Sequence, residues 1–144
     1  ALIALLNGLL GLAGGVVGIP ELSLELILGY LFSPVAVIIG IPLEEAFNAA
    51  TFIGQKLVLN EFVAYVNFTE FSIDNPLSER TTAIITFALC GFANISSMAM
   101  LIGGLGSLVP EKRAFVSKHG FRAITAGVMA NLMSASIAGV IMSL

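Results

Sequence analysis

Charged residues are sparse along this chain, and they divide it into long uncharged stretches. Residues 1–20 carry none, Glu21 and Glu25 follow, and 26–43 is again uncharged up to Glu44 and Glu45. Residues 46–68 hold only Lys56 and Glu61, and 70–80 is a polar stretch with Glu70, Asp74, Pro76, Glu79 and Arg80. Residues 81–110 are uncharged, 111–122 carries Lys112, Arg113, Lys118 and Arg122, and 123–144 has no charge to its end. A helix crossing a bilayer needs about 20 predominantly apolar residues, and 1–20, 81–110 and 123–144 each supply them. The runs are continuous and lack the short alternating segments of membrane barrels, so they predict helices. Small residues within them (Gly11, Gly14, Gly15, Gly103, Gly104, Ala126, Gly127, Ala135, Gly139) suit close helix packing in lipid.

The segment 21–43 has a different pattern. Glu21 and Glu25 stand one turn apart on one helix face, and Pro34 interrupts the apolar run. This predicts an amphipathic helix at the membrane interface, a kink at Pro34, and a second short piece. A tilted spanning helix is the competing arrangement. The basic residues of 111–122 read as a short loop between two spans, which the positive-inside rule places in the cytoplasm. Segment 81–110 then runs inward, 123–144 runs back out, and 69–80 faces outward.

Composition fits this picture. Hydrophobic residues make up 58% and charged residues 10%, with a mean hydropathy of +1.03. Soluble domains are about 45–50% apolar and about 25% charged, so lipid is the natural place for this much apolar surface. A net charge of −3 and the absence of a basic stripe argue against nucleic-acid binding. One cysteine, Cys90, excludes a disulfide framework or a cysteine zinc cluster within the chain. Phosphate-loop, dinucleotide-loop, zinc-protease and serine-hydrolase motifs are absent from the sequence. The chain begins and stops inside apolar runs, and we expect it to be a segment of a longer protein. Its first run lacks the basic start of a signal peptide.

Two segments depart from plain spans. As one helix, 81–110 would reach about 45 Å, against a hydrocarbon core of about 30 Å. At its centre stands CGFANISS, where glycine, asparagine and serines compete with helical hydrogen bonding. Irregular backbone at membrane depth is tolerated where it is buried in protein or lines a wet cavity. We therefore expect two half-helices, 81–92 and 97–108, whose ends face a shared site. The alternative is an unbroken helix whose Asn94 bonds a neighbour.

Segment 46–68 carries Lys56, Asn60 and Glu61 in apolar surroundings. A carboxylate at a spanning helix's centre costs about 2.5–3.5 kcal/mol on insertion scales. A re-entrant hairpin turning at 57–60, each arm reaching about 15 Å, would place Glu61 near the midplane. The alternative is a plain span with a Lys56–Glu61 ion pair, at a spacing poor for helical pairing. Two polar-centred segments converging on the midplane point to a secondary-transporter site. Its carboxylate, amides and hydroxyls, with Phe92 beside them, suit a neutral polyhydroxylated ligand with a flat apolar part. A ribose fits that set, with Glu61 accepting from vicinal hydroxyls while Asn94 and Ser97 donate and accept. Glu61 would repel a phosphate.

At these residues the chain resembles the concentrative nucleoside transporters. The stretches GQKLVLNEFVAY (54–65) and ALCGFANISSMAMLIGGLGSLVP (88–110) are similar to that family's two signature regions. LELILGYLFSPVA (24–36) and ANLMSASIAG (130–139) extend the likeness to the C-terminal half of bacterial members. The resemblance implies an all-α membrane protein, half of an inverted-repeat transporter. Its parts are a scaffold transmembrane helix (1–20), an interfacial amphipathic helix (21–43) and a re-entrant hairpin of the transport domain (44–69). A broken transmembrane helix (79–110) and a cytoplasmic basic loop with the last transmembrane helix (111–144) complete it. It further implies ion-coupled nucleoside uptake by alternating access, driven by Na+ or H+, in a homotrimer in the plasma or inner membrane. Ribose contacts then fall to Glu61, Asn94 and Ser97, with Phe92 lining the pocket. Base recognition and the coupling-ion site belong to an N-terminal half outside this chain. No enzyme activity, metal ligand or organic cofactor is expected, and the partners are a nucleoside and the bilayer.

A membrane gate or nucleoside sensor of related hairpin fold, which does not concentrate its ligand, is the alternative function. A hydrolase pairing Glu61 with a serine lacks a base–nucleophile spacing. Cys90 reads as a buried structural thiol, His119 as an interfacial residue, and Lys56 receives no ligand role. Asn67-Phe68-Thr69 matches a glycosylation sequon close to the membrane.

Overall fold

Local sequence signals set where each helix starts. In the computed structural model, which describes residues 2–19 and 21–144, the first helix is α1 (Leu2–Val17). Ala1 and Pro20, the two ends of the first expected span, lie outside the described residues. Helix α2 (Leu24–Ile38) is capped by Ser23, whose side chain accepts from the Leu26 amide at 3.2 Å. Helix α3 (Leu43–Val58) has Glu44 and Glu45 in its first turn and Lys56 in its last, each sign matched to the helix dipole. Asn60 caps α4 (Glu61–Asp74), Ser78 caps α5 (Glu79–Leu89), and Asn94 caps α6 (Ile95–Leu108). A short 3-10 turn, Pro110–Lys112, leads into α7 (Arg113–Ile141). No strand occurs among the described residues, and the all-helical class is as expected.

The stretch 81–110 is broken, as its central residues predict, and the irregular backbone lies at 90–94. The boundaries are Leu89 and Ile95, so Phe92 belongs to the break and Ser97 lies inside the second half-helix. Residues 46–68 likewise form two helices, α3 and α4, joined by a turn at Leu59 and Asn60. The unbroken-span alternatives for both segments fall away.

Two expectations need correction. The helix does not break at Pro34: α2 runs through it, and the chain turns instead at 39–42, where Gly40 takes φ +102°. The carbonyl that Pro34 leaves without its helical donor belongs to Tyr30, which is exposed. Packing against α3 holds the helix together across that gap. The basic stretch after Lys112 is also no loop; Arg113, Lys118 and Arg122 occupy the opening turns of α7. Lysine and arginine are good helix formers, and the stretch contains no proline to stop the helix. Its continuous run Pro110–Ile141, 32 residues, is long and apolar enough to cross a membrane.

Glycines bring the helices together. Helices α2 and α3 meet at a 118° bend. Added Cβ atoms at Gly29 and Gly54 would stand 2.7 Å from Phe47 and Leu28 across that contact. Gly139 of α7 meets Ile84 of α5 equally closely, at 2.6 Å. The buried core joins these contacts through Ala36, Ala49, Ala50, Phe52, Ile53, Ile84, Ile85, Leu89 and Ala135. Phe52 packs edge-on against Phe68 and Phe71, with centroids 5.4 and 5.5 Å away. Gly11, Gly15, Gly103 and Gly104 have nothing within 4 Å, so these small residues line open faces of α1 and α6.

Candidate functional site

The turn between α3 and α4 and the gap between α5 and α6 are brought together by one polar contact. Asn94 Nδ2 donates to Glu61 Oε2 at 2.9 Å. Each partner sits where helix termination puts it. Asn60 adopts an extended backbone and accepts from the Val63 amide at 2.9 Å, which starts α4 with Glu61 at its first position. Asn94 accepts from the Ser97 amide at 2.7 Å through Oδ1 and donates its own amide to Ser97 Oγ at 3.2 Å. This is a reciprocal capping box that leaves the asparagine Nδ2 free for Glu61. The Ser97 hydroxyl reaches back to the carbonyls of Phe92 at 2.6 Å and Asn94 at 2.8 Å.

Two helix N-termini, α4 and α6, therefore meet around one carboxylate, and their dipoles favour its charge. Asn94 is 2% exposed, so its contact with Glu61 is shielded from water. Glu61 and Ser97 are half-buried, whereas Phe92 is 77% exposed and projects from the break. An apolar hollow of about 460 Å³ lies beside them, lined by Phe92, Ser97, Met98, Leu101, Val116 and Ile124. The four residues singled out from the sequence thus form one linked group.

Further residues, which sequence reasoning missed, hold this group in place. Tyr65 of α4 donates its hydroxyl to the Thr86 carbonyl of α5 at 2.6 Å. Asn67 Nδ2 donates to Gln55 Oε1 at 2.8 Å, joining the two hairpin arms. At the far end of the hairpin the Ser78 amide and hydroxyl donate to the two Glu45 carboxylate oxygens at 2.8 and 2.7 Å. Gln55 and Asn67 lie at unequal distances from the turn, so spacing alone does not pair them.

Gly91 opens the break with φ +113°, and an added Cβ would stand 2.6 Å from the Asn131 amide of α7. Cys90 is exposed rather than buried, because it terminates α5 at the edge of the break. Lys56 is 2% exposed. It forms no ion pair within 4.0 Å among the described residues, so the expected alternative of a Lys56–Glu61 pair is not formed. No cluster of three or more metal-ligating side chains occurs among the described residues.

The described residues form an all-helical fold in which two short helix pairs meet at one polar site, and the comparisons show the class to which that fold belongs. Residues 1–139 match the family described as "Na+ dependent nucleoside transporter C-terminus". The chain is 54% identical over 127 residues to the nucleoside permease NupC of Helicobacter pylori, covering 86% of this chain and 30% of that protein. It is 36% identical over 156 residues to human solute carrier family 28 member 3, covering 99% and 23%. CNTnw in an inward-facing substrate-bound state superposes with a TM-score of 0.87 at 51% identity, over 96% of this chain and 34% of that one. The chain belongs to the concentrative nucleoside transporter family, as its C-terminal domain. Members of that family are integral membrane transporters. The chain spans about a third of the length of the first relatives it matches.

Proposed function

We propose that the protein carries out ion-coupled nucleoside uptake by alternating access, and that this chain supplies the ribose-binding half of the site. The observation that carries the reading is the Glu61–Asn94 contact, where a carboxylate at the start of one helix meets the cap of another. In this reading Glu61 accepts from ribose hydroxyls, Asn94 and Ser97 complete the polar rim, and Phe92 offers its face to the flat base. Helix α7 spans the membrane, α5 and α6 form a discontinuous span, α3 and α4 re-enter from outside, and α2 lies along the interface. Helix α1 belongs to a scaffold. The whole protein acts as a homotrimer in the cell membrane, with Na+ or H+ as the coupling ion. Base recognition and ion binding reside outside this chain. Support comes from the family membership and from the likeness to the nucleoside permease NupC of Helicobacter pylori.

The test is gradient-dependent uptake of labelled uridine by the full-length protein in proteoliposomes, with 2′- and 3′-deoxyuridine as competitors. Hydrogen bonds to a charged group contribute about 1.5–3 kcal/mol each. Deoxy analogues should therefore compete about tenfold or more worse than uridine. In Glu61→Ala that discrimination should vanish along with most binding. Unchanged uridine affinity in Glu61→Ala removes Glu61 from the site, and binding without accumulation favours a sensor or gate.

A further inference from the structure

Beyond Arg122, helix α7 carries four polar side chains: Thr125, Asn131, Ser134 and Ser136. Three of them are satisfied within their own helix. The hydroxyls of Thr125, Ser134 and Ser136 donate to the carbonyls of Phe121, Ala130 and Leu132 at 2.9, 3.1 and 2.9 Å. Asn131 is half-buried, and its amide forms no hydrogen bond with any described residue. Packing fixes where it stands. Gly127, Asn131, Ala135 and Gly139 follow at four-residue intervals and share one face of α7. Added Cβ atoms at Gly127 and Gly139 would stand 2.9 Å from Ala93 and 2.6 Å from Ile84, so that face lies along the broken helix. Between these two contacts the Asn131 carboxamide meets Gly91. Its Nδ2, Oδ1 and Cγ stand 2.6, 3.0 and 3.2 Å from the point a Cβ would occupy there. The break carries the complementary groups. The backbone amides of Gly91, Phe92 and Ala93 donate to no described residue, whereas that of Asn94 donates to Ser97. Asn131 is nine residues past Arg122, about 14 Å along the helix and about half the hydrocarbon core. Backbone amides without an acceptor are costly at that depth, and a carboxamide oxygen is the kind of acceptor they lack.

We propose that Asn131 is a further positioning residue of the binding site: its carboxamide accepts, directly or through one water, from the free amides of 91–93 and so fixes the backbone that carries Phe92 and Asn94. This deepens the proposed function and rests on it. A turn of the amide about its Cβ–Cγ bond exchanges oxygen and nitrogen, which brings the oxygen to the position nearer Gly91. With 91–93 held, the Asn94 amide stays on Glu61 and Phe92 keeps its place beside the hollow. With 91–93 free to turn, both move together and the ligand must order them on binding. Asn131 acts through the backbone and touches no part of the ligand.

The experiment uses the full-length protein in detergent and reads amide hydrogen exchange, resolved by fragmentation mass spectrometry, beside uridine affinity by calorimetry. In the wild type, the amides of 91–93 should exchange slowly although they lie outside any helix. Asn131→Leu keeps the shape and removes the acceptor. Exchange at 91–93 should then rise about tenfold or more while 83–88 of α5 stays protected, and uridine affinity should fall about fivefold or more. Asn131→Asp keeps an oxygen in the same place and should retain both protection and affinity. Unchanged exchange at 91–93 in Asn131→Leu overturns the proposal, because the acceptor then comes from another segment of the protein. Faster exchange with unchanged uridine affinity overturns the positioning role. Equal rises at 91–93 and 83–88 reduce Asn131 to a packing residue, and an Asn131→Asp that behaves like Asn131→Leu also overturns it. Should Asn131→Leu fail to fold, a folded Asn131→Asp that protects 91–93 supports the proposal, and one that does not fold or leaves them unprotected overturns it. A wild-type protein that does not bind uridine refutes the ribose reading instead, while exchange at 91–93 still decides whether Asn131 holds the break.

Discussion

Gly91 shows how much of the site is fixed by single atoms. Its φ of +113° is one that L side chains rarely adopt, and a new Cβ would press on the Asn131 amide at 2.6 Å. Backbone strain of this kind costs about 1–3 kcal/mol. Gly91→Ala should therefore lower the melting temperature clearly. Adding Asn131→Ala should recover only the steric part, because the dihedral penalty stays; a double-mutant cycle measured by thermal unfolding separates the two. Asn94 permits a different separation. Asn94→Asp keeps an oxygen to accept from the Ser97 amide, so α6 keeps its cap. It replaces the donor to Glu61 with a second carboxylate where Nδ2 stood 2.9 Å from Oε2. Like charges at that distance repel. Uridine affinity, measured by calorimetry, should fall by about tenfold or more, while circular dichroism shows an unchanged helix content. Equal loss of helix and affinity would make Asn94 a structural cap only.

Among the elements, the hairpin α3–α4 depends on α5 at both of its ends. Tyr65 holds it near the site, and Glu45 clasps Ser78 at the mouth, outside the spanning segments. Partial burial pushes the Glu45 carboxyl up. The nearby Thr81 hydroxyl and the two Ser78 donors outweigh that, and the group titrates below its ordinary value of 4.5. A carboxyl with a depressed folded pKa stabilises above its unfolded pKa and loses that contribution as pH falls through the lower folded value. An acid unfolding titration should therefore show a step below pH 4.5 that is absent in Glu45→Gln. Much of this arrangement was readable in the sequence. Gly91, Asn94, Ser96 and Ser97 in an uncharged run marked the break at 90–94, because such residues cap helices and compete with them, and Lys56, Asn60 and Glu61 in apolar surroundings marked the turn at 59–60. Pro34 misled, since tertiary packing against α3 carries the helix through it. The basic stretch misled because charge pattern reports topology and says nothing against helix. The Glu45–Ser78 clasp joins positions 33 residues apart, and no periodicity relates them.

For the molecule as a whole, the exposed surface states what is still needed. Leu9, Leu12 and Val16 of α1, Met100 and Leu101 of α6, and Phe121, Met129, Met133 and Ile137 of α7 are all exposed. A monomeric soluble protein rarely exposes contiguous apolar faces of this extent, and lipid or further helices must cover them. Phe92 stands out into open space with the apolar hollow beside it, so in this chain alone the pocket has walls on one side only. The polar groups gathered at the site, Glu61, Asn94 and Ser97, can recognise hydroxyls, while among the described residues the hollow beside Phe92 is lined by apolar side chains apart from Ser97. Sugar selectivity and base selectivity should therefore separate physically. Grafting this chain in place of the corresponding third of NupC from Helicobacter pylori, to which it is 54% identical, provides the measurement. In the chimaera, competition by deoxyuridines should be abolished by Glu61→Ala in the grafted segment. The ranking of purine against pyrimidine nucleosides should stay that of the host. Liposomes containing residues 1–144 alone should accumulate no uridine above the external level. A chimaera whose base ranking moves with the graft would place base recognition within these residues and would require contacts beyond Phe92.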